Sequence, residues 1–242
     1  MRPSDYFGSS PAGPGPGAAE LIAAEVRGVP PDEVPVRLCR LAPRLLPVSG
    51  ASASLRGESV PVRLCASGER ASRLAEIQAT LGDGPCVSAI AARAPVLASD
   101  LSSGADANRW PVFAQQATAV GVQAVYALPL GSDTVCVGTL DLYRDTPGGL
   151  TRGQLGTARL VAGVLTLALM ALPREEDGWL SGLSGDHDEV YQAVGMIMAQ
   201  LGIGADEALA RLRADAFARG RTAHAVARDV LTHRRRFDSD VP

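Results

Sequence analysis

A chain of 242 residues, 46% of them apolar, is long enough for two small domains and can bury a sizeable core. Its formal charge of −3 excludes a globally basic nucleic-acid binder but leaves room for a local basic surface. Aromatic residues make up only 4%, so Ala, Leu and Val must fill the core, which suits close-packed helices.

In chain order, residues 1–17 are rich in Pro, Gly and Ser without periodicity and read as a disordered tail. The beginning is polar, with no signal-peptide pattern. A helical pattern starts at Ala18. A second follows with Val36, Leu38, Leu41, Leu45 and Leu46 as core positions and Pro43 expected to kink or interrupt it. The period then changes to that of strands at 51–55 and 60–66, with a turn near Gly57. Residues 69–81 predict a helix. Gly82, Asp83, Gly84 and Pro85 make a sharp turn, with Pro85 opening the next helix. A short strand over 95–99 is followed by a helix over 109–120 with Pro111 near its start, then by an apolar strand pair over 123–129 and 135–143. A long apolar helix covers 155–172, in which Leu155, Val161, Leu165, Leu169 and Leu172 can line a seam against a partner helix or the sheet. Its most apolar run, 161–172, is shorter than the ~20 residues of a membrane span. The expected architecture is α+β, an antiparallel sheet with helices packed on it.

Residues 174–186, charged and then Gly/Ser-rich, read as a linker in which Trp179 is available to anchor the junction. Beyond it, residues 187–237 hold three helical patterns, and 238–242 form a short tail. The first runs over about 188–201, capped by Asp186 or His187, with Val190, Val194, Ile197, Met198 and Leu201 on one face. Gly195 in mid-helix costs ~1 kcal/mol relative to Ala, which suggests that a backbone or ligand approaches there. The second spans 205–219 with Ala208, Leu209, Leu212 and Ala216 inward, and Gly220 stops it. The third has Thr222 as N-cap and Ala223, Val226, Ala227 and Val230 inward. The result is a small all-α three-helix bundle.

All 23 basic residues are arginine, whose guanidinium forks bind phosphate bidentately and stack on bases. Residues 188–236 carry eight Arg against six acids, whereas residues 1–187 carry 15 against 18. The local excess is modest. Arg211, Arg213, Arg219, Arg221 and Arg228 are either phosphate contacts or a solvated face with acidic partners at helical spacing, such as Arg211 with Asp215. Cys39, Cys65, Cys86 and Cys136 are far apart, with no CxxC pair or nearby His, which argues against zinc and for reduced thiols in a cytoplasmic protein. Cys86, just after a helix-start proline, is either a thiol activated by the helix dipole or a small core hydrophobe. His187, His224 and His233 show no ligand spacing and read as surface residues. No cofactor fingerprint and no paired catalytic residues are visible.

Two resemblances follow. The segments GDGPCVSAIAARAPVLASDL, RWPVFAQQATAVGVQAVYALPL and VCVGTLDLYRDTPGGLT resemble a GAF domain, which would cover 18–173. Gln192-Ala193, Gly195-Met196-Ile197-Met198, Glu207-Ala208, Leu212-Arg213, Ala216, Arg219, Arg221 and Val226-Ala227 resemble the ANTAR domain, the RNA-binding output module of bacterial antitermination regulators. Val194 departs from a frequent family lysine, which implies the loss of a basic contact. The resemblances imply a sensor for a small-molecule or protein signal, with a pocket near Cys86 and Trp110. They also imply an output that, as a homodimer, holds an RNA with two hairpins and prevents a terminator from forming. Gln192, Gly195 and the five arginines are the implied RNA contacts. A sensor that signals through a protein partner, its RNA affinity lost, is the alternative. An enzyme and a membrane protein are not expected.

Overall fold

The computed structural model describes residues 16–57, 61–132, 134–172 and 185–237. The assigned linker core, with Trp179, and most of the amino-terminal tail lie outside them. Two helices, α1 (Pro16–Val26) and α2 (Val34–Leu45), lead into an antiparallel sheet. Its strands are β1 (Gly50–Arg56), β2 (Pro61–Ala66), β3 (Val96–Ala98), β4 (Ala124–Gly131) and β5 (Cys136–Arg144), in the order β2-β1-β5-β4-β3. Between β2 and β3 lie α3 (Glu69–Leu81) and α4 (Pro85–Ala92), and between β3 and β4 lie α5 (Gly104–Arg109) and α6 (Pro111–Ala119). After β5 comes α7 (Arg152–Met170).

Strand alternation sorts the core into two layers. Leu128, Leu130, Leu140 and Leu142 project to one face, where α2 and α7 supply Leu38, Leu41, Val161, Leu165 and Leu169. Val125, Ala127 and Tyr143 project to the other, against Leu74, Ile77, Trp110 and Phe113. The long apolar helix therefore uses its predicted seam inside the chain: Val161, Leu165, Leu169 and Leu172 are buried in the first layer and Leu155 packs on it. Although α7 is 19 residues long with a mean hydropathy of 1.3, enough to cross a membrane by length and composition, much of its apolar surface faces this core.

Three local expectations are corrected. Pro43 does not break α2, because it lies in the last turns of a helix that continues to Leu45. Residues 104–109 form a helix that polar GADANR did not announce, and α7 starts earlier than its apolar run. There Thr151 and Gln154 form a reciprocal capping box, which satisfies helix-end N–H groups before the hydrophobic residues begin.

The carboxy-terminal helices are α8 (Gly185–Leu201), α9 (Ala205–Ala218) and α10 (Ala223–Leu231). Asp186 and His187 lie inside α8 rather than capping it. Their core joins Val190, Ala193, Ile197, Leu212, Ala216, Val226 and Val230. Val194 is in this core at 7% exposure, so the residue that replaces the expected lysine is a packing residue and not a vacated surface contact.

Candidate RNA-binding face and its docking on the sensor

Each arginine of the bundle is placed by the helix that carries it. Arg211, on α9, pairs with Glu207 one turn back at 3.0 Å, not with Asp215 as its spacing suggested. Asp215 instead accepts from Arg219 at 2.9 Å and from Arg235 at 2.7 Å. Asp229 on α10 pairs with Arg221 and, at 3.4 Å, with Arg234. Arg221 at its side holds the Asp229 carboxyl below the usual carboxylate range. Four guanidiniums thus gather around two carboxylates where α9 gives way to α10 and the chain ends its last helix. Composition could not assemble this cluster, because Arg234 and Arg235 come from beyond α10 and meet Asp229 and Asp215 only through the fold. Arg219, Arg221 and Arg234 are the exposed guanidiniums, and since exposed ion pairs add only ~0–1 kcal/mol these three can turn from carboxylate to phosphate, while Arg235 keeps the largely buried Asp215 paired.

The remaining predicted residues lie elsewhere. Arg228 reaches across to α8 and bonds Glu189 at 3.2 Å. Gln192 follows Glu189 by one turn on the same face of α8 and is exposed, as is Gly195. A Cβ built at Gly195 would meet nothing within 4 Å among the described residues, so none of them requires the glycine.

Arg213 is different. It is half-buried, and its guanidinium lies over Gly82, at the left-handed turn (φ 65°) that ends α3 of the sheet domain. A Cβ on Gly82 would come within 2.5 Å of Arg213 Nη1. Burial lowers the pKa of Arg213 below the ordinary arginine value. Two more contacts join the domains: Ala79 packs against the bundle core, and the Ala223 N–H donates to Thr80 Oγ1 at 3.0 Å. Thr222 Oγ1 accepts from Ala225 N at 3.0 Å, so the first turn of α10 is capped once by its own threonine and once by the sheet domain. Clefts flank the joint on both sides, one lined by Arg63, Glu76, Tyr191 and His224, the other by Arg73, Gln116, Phe217 and Arg221. His224, expected on the open surface, is half-buried there, with Nε2 2.9 Å from Glu189 Oε2.

Cys86 and Trp110 come to the same side of the sheet but line neither cleft. Trp110 is buried and its Nε1 donates to Ser88 Oγ at 3.1 Å. Cys86 contacts Thr139 Oγ1 at 3.1 Å, and its N–H donates to Gln78 Oε1 at 2.7 Å. Burial pushes the Cys86 thiol up, so desolvation outweighs any lowering by the helix start. Beside it lies Asp141, which accepts from Gln78 Nε2 at a long 3.5 Å, while its Oδ1 is buried with no hydrogen-bond partner. Burial pushes the Asp141 carboxyl up to about 7. Ser52, Ser54, Thr139 and Asp141 are all buried polar residues, and the alternation of β1 and β5 puts them on the opposite side of the sheet from Leu55, Leu140 and Leu142. The sequence concealed this polar group because its members come from separate segments and each sits within an apolar-looking strand or turn. Among the described residues no group of three or more His, Cys, Asp or Glu could hold a metal ion.

Comparison with known proteins agrees with this division. The GAF domain model matches residues 33–169 and the ANTAR domain model matches residues 185–231. No curated protein matches the chain. Among solved structures, the GAF domain of a phosphoenolpyruvate-protein phosphotransferase from Coxiella burnetii aligns with a TM-score of 0.50 at 12% identity, over 64% of this chain and 91% of that one. The GAF domain of the Acinetobacter phosphoenolpyruvate-protein phosphotransferase gives 0.49 at 10% identity, over 64% and 91%. A type II free methionine-R-sulfoxide reductase from Thermoplasma acidophilum gives 0.44 at 14%, over 58% and 92%. At such identities the likeness concerns the fold alone. The chain belongs to the GAF domain family and carries an ANTAR domain after it.

Proposed function

We propose that this chain is an RNA-binding transcription antitermination regulator, in which the GAF domain receives a small-molecule or protein signal and the ANTAR bundle holds a hairpin in a nascent transcript. The observation that carries the reading is the cluster of Arg219, Arg221, Arg234 and Arg235 around Asp215 and Asp229 within an ANTAR domain. Phosphate contacts from these guanidiniums position the RNA, and base recognition falls to neighbouring side chains and splayed loop bases. Gln192, Gly195 and Arg228 form a second contact stretch along α8 and α10, and Arg211 extends the basic surface. Arg213 contributes only when the bundle leaves Gly82. The docked arrangement is the resting state, and the signal acts by favouring release. The protein is not an enzyme in this reading, needs no cofactor and works in the cytoplasm.

Its assembly is a homodimer, through a surface other than the seam first expected. On α7, Gly163, Leu167 and Met170 recur at helical spacing along the side turned from the core, with Leu167 69% and Met170 47% exposed, and Leu160 and Val164 flank them at the edge of the core. A native mass of one chain at micromolar concentration, with and without RNA, would remove the dimer.

The deciding experiment cross-links the protein to cellular RNA and sequences what is recovered. Enrichment of paired hairpins near terminators is expected. Recovery no better than a charge-matched control would overturn the reading and favour a protein partner. The Arg219→Ala, Arg221→Ala double variant should remain folded and bind RNA with a salt dependence flatter by about two units, one per lost phosphate contact.

A further inference from the structure

Two of the four free cysteines meet inside the GAF domain. Cys39 on α2 and Cys65 on β2 lie with their Sγ atoms 3.2 Å apart. Both belong to the layer between the sheet and α2, with Cys39 fully buried and Cys65 exposed by 7%. They are 26 residues apart, so neither sequence spacing nor a CxxC motif announces the pair. A disulfide has its sulfurs at about 2.05 Å, so closing this contact takes a shift of roughly 1 Å, which two rotatable side chains can share. The other two thiols are engaged differently: Cys86 with Thr139 Oγ1 and Cys136 with the Gly138 carbonyl.

We propose that Cys39 and Cys65 form a peroxide-reactive dithiol site that closes to an intramolecular disulfide between α2 and the edge strand β2. Position orders the steps. β2 is the outermost strand at its end of the sheet, and Cys65 is the less completely buried residue of the two. The contact with Cys65, reinforced by burial, pushes the Cys39 thiol well above its ordinary value, so Cys39 keeps its proton. Cys65 attacks one oxygen of a hydroperoxide and gives up its thiol proton; the O–O bond breaks, Cys65 becomes a sulfenic acid, and the departing oxygen takes up that proton. Cys39 then attacks Cys65 Sγ: the S–S bond forms, the S–O bond breaks, and hydroxide leaves with the Cys39 proton as water. Two thiols lose two electrons and the peroxide gains two. The product ties α2 to the strand on which α3 packs from the other side, and α3 carries the Thr80 and Gly82 contacts with the output bundle. The dithiol reading concerns the GAF domain alone and stands whether or not the bundle binds RNA.

The test uses the full chain, folded, with hydrogen peroxide as the probe. After treatment and quenching, the protein is unfolded, alkylated and mapped by mass spectrometry. The expected result is loss of two alkylatable thiols, a linked peptide pair containing Cys39 and Cys65, and full reversal by dithiothreitol. In Cys39→Ser, dimedone should label Cys65, since its sulfenic acid has no resolving thiol. In Cys65→Ser, Cys39 should stay alkylatable. Four alkylatable thiols after treatment, a linkage through Cys86 or Cys136, or first labelling of Cys86 overturns the proposal. If a serine variant fails to fold, time-resolved labelling of the unsubstituted protein decides it, because transient dimedone capture at Cys65 must precede the linkage.

Discussion

The GAF sheet and the ANTAR bundle use polar groups in opposite ways. The sheet domain buries several of them, with Ser52, Ser54, Gln78, Thr139 and Asp141 enclosed near Cys86. The bundle buries a core made almost wholly of Ala, Val, Leu and Ile, and, Arg213 apart, keeps most of its arginines on the outside against carboxylates. A large domain with two hydrophobic layers can tolerate a buried carboxyl. A bundle of about 50 residues has little stability to spare, so most of its charges stay where water screens them. The sheet domain is therefore the half in which a local change of charge or oxidation state has structural force, while the bundle has its charges ready for a ligand.

The largest expected effect tests the thinness of the bundle core. Leu212→Ala removes a fully buried side chain from it and should cost about 2–5 kcal/mol. Thermal melts followed by circular dichroism should then show the bundle's helical signal lost early and the sheet domain melting near its original temperature. A single cooperative transition would show that docking fuses the two halves.

Next comes Asp141. Its folded-state pKa of about 7 lies above the ordinary carboxylate value, so the folded protein holds the proton more tightly than the unfolded chain does. Asp141 thus favours folding most at low pH, and that contribution is lost as pH rises from about 4 to about 7, with little further change above. Asp141→Asn should flatten this slope and raise the melting temperature at pH 7.5 more than at pH 5. Equal effects at both values would mean that Asp141 is ionised in the fold throughout.

A smaller effect separates the halves physically. Gly82→Ala places a side chain at a left-handed backbone position, costing about 1 kcal/mol or more, and presses on the Arg213 guanidinium, which can swing aside. The docking contact should loosen, read as faster proteolysis between the two domains, with the sheet domain intact. Unchanged cleavage would mean that Thr80 and Ala79 hold the joint without Arg213.

Gly195→Ala should give the smallest change, and in the stabilising direction. The added methyl meets nothing among the described residues, so the helix gains up to about 1 kcal/mol. If RNA approaches α8 there, binding falls while stability rises; unchanged affinity would place the RNA elsewhere.

Much of this was legible in advance because it depends on local period and local chemistry. The change of period announced β1 and β2, and short apolar runs beside turns announced β3, β4 and β5; Thr222 announced the start of α10; Gly220 announced the end of α9. The ordered motifs identified both domains. The misses share one cause. GADANR has no apolar period, yet α5 forms between Ser103 and the buried Trp110 that its neighbours anchor. The exposed state of Arg213 was inferred from its own helix, and its burial is decided by Gly82, from another domain.

The sequence by itself determined the two-domain order, the α+β class of the first, the three helices of the second and the residues that face each core, since these follow from backbone propensity and the spacing of apolar side chains. Only the tertiary structure decided which arginines cluster, which one is covered, that Cys39 meets Cys65, and that Asp141 is enclosed with one oxygen unpartnered. Those outcomes depend on contacts between residues far apart in the chain, where packing brings side chains together and desolvation sets their chemistry.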